Sequence, residues 1–267
     1  MKLKLSILIL VFTVTIYSCK KEPKTGTETK TESETETTTE NEWIALFDGS
    51  STKGWRSYNG EALPPQWVIK DSTLTFDAEV KDLKVEHQGG RDIIYGAEEF
   101  DNFELYLEWK IPAGGNTGVF YHLKEGYDNP YEVSPEYQCI DDENYATMHD
   151  LVAYNTGLGH PNPELLQPLQ QTASDYAMHV ADDKVKVLHP AGQWNSTRII
   201  FTPESVEHWL NGKKVLSFVP WSEDWYTKKN NGKWKDFPDY GKFKTGFIGL
   251  QDHDSPVWFK NIKIKKL

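Results

Sequence analysis

The strongest constraint on the fold is a series of short segments in which apolar and polar residues alternate. The clearest is FELYLEWKI, residues 103–111, whose odd-numbered positions are all apolar and whose even-numbered positions are polar or charged. Side chains of a β-strand point alternately to opposite faces, so this segment predicts a strand with one buried face. The turn-forming sequence PAGGNTG and the apolar segment VFYHL follow it, and together they predict a hairpin.

Two other regions of the chain show strand-like patterns. TRIIF, VEHWL and KKVLSFV are separated by TPES and by Asn211-Gly212, the pair best suited to a type I′ turn, and they predict a three-stranded meander. Near the C-terminus, residues 248–264 read IGLQDHDSPVWFKNIKI, two apolar strands joined by a polar link. Helical periodicity is weak outside residues 144–176. The sequence therefore predicts an all-β fold, an antiparallel β-sandwich with long loops and at most short helices.

The N-terminal residues have the composition of an export signal and a tether. Residues 1–18 carry two lysines and then an apolar run too short to span a bilayer with ordinary flanks. The triplet before Cys19 looks like the lipobox of bacterial lipoproteins, in which the cysteine becomes the lipidated first residue. Residues 19–42 are rich in Thr and Glu and have almost no apolar side chains, as in a disordered tether. We therefore predict a signal peptide (1–18), a lipidated tether (19–42) and one domain (43–267).

Charge and missing motifs exclude several classes of function. The formal net charge is −11, and an acidic domain repels nucleic acid and anionic lipid headgroups. We expect contact with the membrane only through the lipid on Cys19, at the bacterial cell envelope, on either the periplasmic side or the surface of the outer membrane. The sequence has no phosphate-binding glycine loop and no Gly-x-Ser-x-Gly elbow, so nucleotide chemistry and common serine-hydrolase chemistry have no support.

Six motifs carry a resemblance to a known family. They are LFDGSSTKGW (46–55), FDNFELYLEWKIPAGGNTGVF (100–120), SPEYQCID (134–141), AGQWNSTRIIF (191–201), EHWLNGKKV (207–215) and IGLQDHDSPVWFKNIKI (248–264). In this order they resemble the 3-keto-disaccharide hydrolase domain family, over practically all of residues 43–267. The resemblance implies a jelly-roll sandwich of the concanavalin A-like lectin/glucanase type. It also implies cleavage of glycosides oxidised at C3 of the sugar, so that a carbohydrate is the expected partner.

Such a reaction requires groups that transfer protons. A ketone at C3 acidifies the hydrogen on C2, and the aglycone on C1 can then leave. This chemistry needs a base near C2, an acid for the leaving oxygen, and a donor or metal at the developing enolate oxygen. We predict His253 and Glu136 as the catalytic proton-transfer pair, because an imidazole titrates near neutral pH and Asp252 or Asp254 could fix its tautomer.

Five further residues are predicted to contact the sugar. Gln138 lies two positions from Glu136 on the strand PEYQCI, so both side chains share one face while Tyr137 and Cys139 share the other. The other predicted substrate-binding residues are Asp252, Arg91, Glu108 and Asn116.

Two alternatives to this function and one question about cofactors stay open. A lectin-like module that binds carbohydrate without catalysis has the same sandwich. A conventional glycoside hydrolase is less favoured, because retention requires two carboxyl groups roughly 5–5.5 Å apart. Sandwich glycosidases of the family 16 type carry these groups on one strand as Glu-x-Asp-x-x-Glu or nearly so. Here Gln138 stands in place of the middle acid, and Asp141, five residues from Glu136, falls on the opposite face unless the strand bulges. The histidines lack His-Glu-x-x-His spacing, so no metal ligands are assigned, and a divalent ion held by Glu, Asp and His remains an open cofactor.

Overall fold

The computed structural model describes residues 42–80 and 91–267. The predicted signal peptide, Cys19 and all but the last residue of the tether lie outside the described residues. The described part contains thirteen strands: β1 Ile44–Phe47, β2 Trp55–Ser57, β3 Trp67–Lys70, β4 Thr73–Phe76, β5 Ile93–Tyr95, β6 Phe103–Lys110, β7 Asn116–Leu123, β8 Glu136–Ile140, β9 Asn195–Phe201, β10 Val206–Leu210, β11 Lys213–Phe218, β12 Phe247–Leu250 and β13 Val257–Lys266. Within these ranges no helix is long and apolar enough to cross a bilayer.

The strands form two antiparallel sheets that pack as a sandwich. The eight-stranded sheet has the order β11-β10-β9-β6-β13-β4-β3, with β1 also paired to β13. The five-stranded sheet has the order β2-β5-β12-β7-β8. One apolar core joins them, to which the large sheet contributes Leu105 and Phe259 and the small sheet Val119 and Leu250. The predicted fold class is therefore confirmed.

The alternating pattern decides which face of each strand enters this core. Along β6, Phe103, Leu105, Leu107 and Trp109 are all fully buried, as their spacing predicts. The pattern of β13 changes phase at Asn261, which has a φ of 52° and lies where the register with β6 shifts. A bulge of this kind adds one residue, which lets the side chains on both sides of it face the core.

The predicted meander is confirmed. Strands β9, β10 and β11 pair in sequence, and the turn residues Asn211 and Gly212 have φ angles of 47° and 77°. Positive φ at both positions is what a type I′ turn requires.

The predicted hairpin of β6 and β7 is wrong. β6 pairs with β9 and β13 in the large sheet, whereas β7 pairs with β8 and β12 in the small one. Each strand has an apolar face, and residues 111–115 carry the chain across the sandwich so that the two faces meet in the core. Residues 251–256 connect β12 to β13 in the same way, which leaves their polar side chains at the end of the small sheet.

Short helices are inserted between the strands. They are α1 Tyr145–Met148, α2 Val152–Gly157 and α3 Glu223–Asn231, together with single 3-10 turns at Pro130–Glu132, Pro168–Gln170 and Lys233–Asp236. Helix α3 lies outside the region where the sequence indicated helix, although its start has a recognisable signal. Ser222 accepts a hydrogen bond from the backbone N–H of Trp225, and two acidic residues occupy the first turn.

Candidate active site

A cavity of about 770 Å³ lies on the outer face of the five-stranded sheet. Its floor includes Glu136 and Gln138 from β8, whose neighbours Tyr137 and Cys139 point into the core. The strand therefore divides its side chains between the two faces as the sequence predicts. One wall comes from the start of β5 and from the link after β12, and the opposite wall comes from the helical insertions. The volume is in the range of small-molecule sites, roughly 300–1,000 Å³.

Glu136 is a buried carboxyl group at the bottom of the cavity. Glu136 is only 3% exposed. Gly118 on the adjacent strand β7 leaves room for its side chain, since a Cβ at position 118 would overlap the carboxylate. Burial raises the pKa of Glu136 to about 8, with Lys233 opposing the effect and Asp175 adding to it. At neutral pH the group is therefore mostly protonated and is able to donate a proton.

His253 lies at the mouth of the same cavity, in the link between β12 and β13. Desolvation by the surrounding protein lowers the pKa of the imidazole, although Asp252 and Asp254 favour its charged form. At neutral pH the ring is therefore mostly uncharged and is able to accept a proton. Glu136 and His253 thus have opposite pKa displacements in one cavity.

The two aspartates beside His253 bind Arg91. Arg91 Nε lies 2.6 Å from Asp252 Oδ2, and the same guanidinium also contacts the Asp254 carboxylate. No hydrogen bond from the imidazole to either carboxylate contributes to the pKa of His253. The structure therefore does not support the expectation that an aspartate fixes the imidazole tautomer, since both carboxylates bind Arg91 instead. The guanidinium holds the link in shape from the cavity wall.

Asp92 is a third carboxyl group on this wall. It accepts a 2.7 Å hydrogen bond from the backbone N–H of Asp252, and burial raises its pKa well above the ordinary value. Repulsion from Asp252, and from Glu136 when it is ionised, raises this pKa further. Despite these acids, the described residues include no group of three His, Cys, Asp or Glu side chains placed to hold a metal ion.

Several amide side chains line the cavity, among them Gln138, Asn116 and Gln251. Gln138 uses its Oε1 to accept a 3.0 Å hydrogen bond from the Cys139 N–H. Asn116 Oδ1 and Gln251 Oε1 are buried and have no hydrogen-bond partner among residues 42–80 and 91–267. A buried polar atom without a partner costs about 1–3 kcal/mol, a cost that a sugar hydroxyl would remove by donating to it.

The opposite wall is aromatic. It contains Tyr131, Tyr145, Tyr154, Tyr176 and Phe237. The hydroxyl groups of Tyr154 and Tyr176 are 2.9 Å apart, which joins helix α2 to the segment that pairs with β8. Aromatic faces beside unpartnered amides make an amphipathic surface of the kind that a sugar ring requires.

Comparison with known proteins assigns the chain to a family. The family model described as "3-keto-alpha-glucoside-1,2-lyase-like domain" matches residues 42–265. The chain belongs to this family. A curated relative, the 3-keto-disaccharide hydrolase of Bacteroides thetaiotaomicron VPI-5482, is 34% identical over 245 residues, which are 84% of this chain and 78% of the relative. Family membership makes the chain a glycoside-cleaving enzyme.

Solved structures agree with the family assignment. A candidate glycosyl hydrolase of Parabacteroides distasonis ATCC 8503 is 38% identical, with a TM-score of 0.72 over 84% of this chain and 94% of that protein. A second candidate glycosyl hydrolase from the same organism is 27% identical, with a TM-score of 0.58 over 85% of this chain and 100% of its own length.

The structure brings together most of the residues that the sequence singled out. His253, Glu136, Gln138, Asp252, Arg91 and Asn116 all line the cavity. Glu108 does not, and its assignment as a sugar contact is wrong. It lies on the outer face of the eight-stranded sheet, where Lys260 Nζ is 3.1 Å away and Asn261 Nδ2 donates a 2.7 Å hydrogen bond.

Sequence reasoning missed Lys233 and the aromatic wall. The wall residues lie in turns and short helical segments within residues 131–176 and 233–237, where weak periodicity does not place individual side chains. Asp141 lies outside the cavity, where it accepts 2.8 Å hydrogen bonds from the Gly114 N–H and from Asn144 Nδ2.

Proposed function

We propose that this enzyme cleaves the glycosidic bond of 3-keto-glycosides or 3-keto-disaccharides by abstraction of the C2 proton, elimination and hydration. The observation that carries the proposal is the opposite displacement of two pKa values in one cavity. The pKa of Glu136 is raised to about 8 and that of His253 is lowered. Titratable groups whose pKa values are pushed apart are the typical acid and base of an active site.

His253 acts as the base and Glu136 as the acid. The neutral imidazole takes the C2 hydrogen as a proton, and the electrons of the C2–H bond form an enolate with the C3 oxygen. When the enolate returns to the ketone, the C1–oxygen bond breaks, and Glu136 gives its proton to the leaving oxygen. The products are an alcohol and a 1,2-unsaturated 3-keto sugar. Water then adds to C1, C2 regains a proton, and the 3-keto sugar is released.

The rest of the cavity binds the sugar. Asn116 and Gln251 accept hydrogen bonds from hydroxyl groups through their unpartnered oxygens, and Gln138 donates from its amide nitrogen. Arg91 keeps the link of residues 251–254 against the cavity wall, which positions His253.

Proton exchange with solvent tests this function. The full-length protein, purified in detergent, is incubated in heavy water with a 3-keto-glucoside and separately with the unoxidised glucoside, and NMR follows the products and deuterium at C2. We expect cleavage of the keto sugar alone, with loss of the C2 hydrogen. Cleavage of both sugars without deuterium at C2 would indicate conventional hydrolysis. Saturable binding without cleavage would indicate a lectin-like module, and either result would overturn the proposal.

We also propose that the protein is a lipoprotein of the bacterial cell envelope. The support is the sequence of residues 1–42, with an apolar run, a lipobox-like triplet before Cys19 and a polar tether. Cells that express the protein are labelled with radioactive palmitate. Label in the wild type and none in Cys19→Ala is expected, and equal labelling of the two would contradict the proposal.

A further inference from the structure

Lys233 lies in the wall of the cavity, on the first residue of the 3-10 turn Lys233–Asp236. The side chain is half-buried, and its Nζ is 4.4 Å from the ring centroids of Tyr176 and Trp234. It is 5.5 Å and 5.8 Å from those of Tyr154 and Tyr131. Four aromatic rings therefore surround one ammonium group beside the cavity.

This ammonium group has no anionic partner in residues 42–80 and 91–267. Two nearby lysines are paired, Lys228 with Asp224 and Lys242 with Asp239. No carboxylate of the described residues lies within 4.0 Å of Lys233 Nζ. Its charge is nevertheless close enough to Glu136 to oppose the rise of that pKa. A positive charge held at a cavity wall by aromatic rings is free to bind an oxygen atom of a ligand.

The backbone of Lys233 is held rigidly. The next residue, Trp234, is 1% exposed and stacks on Tyr240, with ring centroids 4.3 Å apart and an angle of 9° between the planes. Its indole N–H also donates a 3.2 Å hydrogen bond to the carbonyl of Tyr176. The ammonium group is therefore preorganised, which is the property that gives a fixed donor its catalytic effect.

We infer that Lys233 is a catalytic residue that donates a hydrogen bond to the C3 oxygen of the sugar and stabilises the enolate that forms there. The inference rests on the proposed function, which has a base in His253 and an acid in Glu136 and needs a donor at this oxygen. The ammonium remains charged throughout, and no bond to it is made or broken. The charge that develops on the C3 oxygen is absent from the ground state, so the interaction mainly increases kcat.

A substrate without a leaving group isolates this step. In 1,5-anhydroglucitol oxidised at C3, C1 carries no aglycone, so exchange of the C2 hydrogen in heavy water reports enolate formation alone. We expect the wild type to exchange this hydrogen and Lys233→Met to exchange it about a hundredfold more slowly, the usual effect of removing one donor from an oxyanion site. Methionine keeps the apolar stem against the aromatic rings, and Lys233→Arg, which keeps the charge, should recover part of the rate.

A control variant separates catalysis from structure. Lys235→Met changes an exposed lysine in the same turn and should exchange at the wild-type rate. If Lys233→Met does not fold, as judged by its thermal unfolding, the test rests on Lys233→Arg. Its exchange rate should then be lower than that of the wild type and above zero.

The outcomes distinguish this inference from the proposed function. A wild type that neither cleaves nor exchanges overturns the proposed function itself. If the wild type cleaves and exchanges, and Lys233→Met exchanges at the wild-type rate, only the role of Lys233 is overturned. A sugar adduct on Lys233 after reduction with cyanoborohydride would also overturn it, because a Schiff base consumes the ammonium group.

Discussion

Replacing Glu136 by Gln should stabilise the folded protein, by an amount that grows with pH. The pKa of the carboxyl group is 4.5 in a solvated chain and about 8 in the folded protein. Below pH 4.5 the group is protonated in both states and carries no ionisation cost. As the pH rises from 4.5 to 8, unfolding releases a proton, and the free energy of unfolding falls. Above pH 8 the cost stays constant.

The difference of about 3.5 between these pKa values, at 1.36 kcal/mol for each pKa unit, corresponds to about 5 kcal/mol above pH 9 and about 3 kcal/mol at pH 7. Glutamine has the same shape and does not ionise, so the Glu136→Gln variant avoids this cost. Its activity should be lost while its stability increases, as expected of a strained catalytic group.

Urea unfolding followed by tryptophan fluorescence, from pH 4 to pH 9, measures the difference between the two proteins. Comparison at each pH cancels the contribution of all other groups. The matched control is Glu108→Gln, because burial of Glu108 is outweighed by hydrogen bonds from Asn261 and Lys260, which lower its pKa. Above pH 4.5 the free energy of unfolding of the wild type should be higher than that of Glu108→Gln. The difference should disappear as the pH falls and Glu108 becomes protonated. A difference between wild type and Glu136→Gln that does not change with pH would refute the reasoning.

The remaining predictions concern activity. His253→Asn should reduce kcat for cleavage by about a hundredfold or more, the usual effect of removing a positioned base. His160→Asn, which lies outside the cavity, should leave kcat unchanged. Steady-state cleavage assays measure both, and thermal unfolding should be the same as in the wild type. As the pH increases, kcat/KM should rise with an apparent pKa below 6.5, as His253 becomes neutral, and fall near pH 8, as Glu136 ionises. If the residual activity of Glu136→Gln also falls near pH 8, the assignment of Glu136 as the acid is contradicted. Gly118→Ala should lose activity, because the new methyl group displaces the Glu136 carboxylate, whereas Gly157→Ala meets nothing within 4 Å and is the control; full activity in Gly118→Ala would show that the position of this carboxylate does not matter.

Local patterns in the sequence predicted many of the strands and, for β6 and β8, the face that each one buries. The alternation in β6 placed Phe103 and Trp109 in the core, and Asn211-Gly212 predicted the turn of the meander. The pair Glu136 and Gln138 was predicted to share a face, and both line the cavity. These features depend on side-chain period and backbone angles over a few residues, so the sequence is sufficient for them.

The pairing of strands depended on contacts that no local pattern contains. β6 and β7 follow one another in the sequence and lie in different sheets, whereas β1 pairs with β13 more than 200 residues later. The alternation in a strand shows that one face is buried and does not show which strand lies beside it. The polar face of β6 was in this way mistaken for part of the sugar site, although Glu108 lies on the other sheet.

The sequence by itself determined the β-sandwich, the family and six of the residues that line the candidate site. Only the tertiary structure decided their chemistry. Glu136 has a pKa of about 8 because the sheet and the insertions remove water from it, and Arg91 binds the aspartates that the sequence offered to His253. Lys233 reaches the cavity from almost 100 residues after Glu136, on a turn without any periodic pattern. Desolvation and electrostatic fields arise from segments distant in the chain, so a residue's type gives its ordinary pKa and its surroundings give its role.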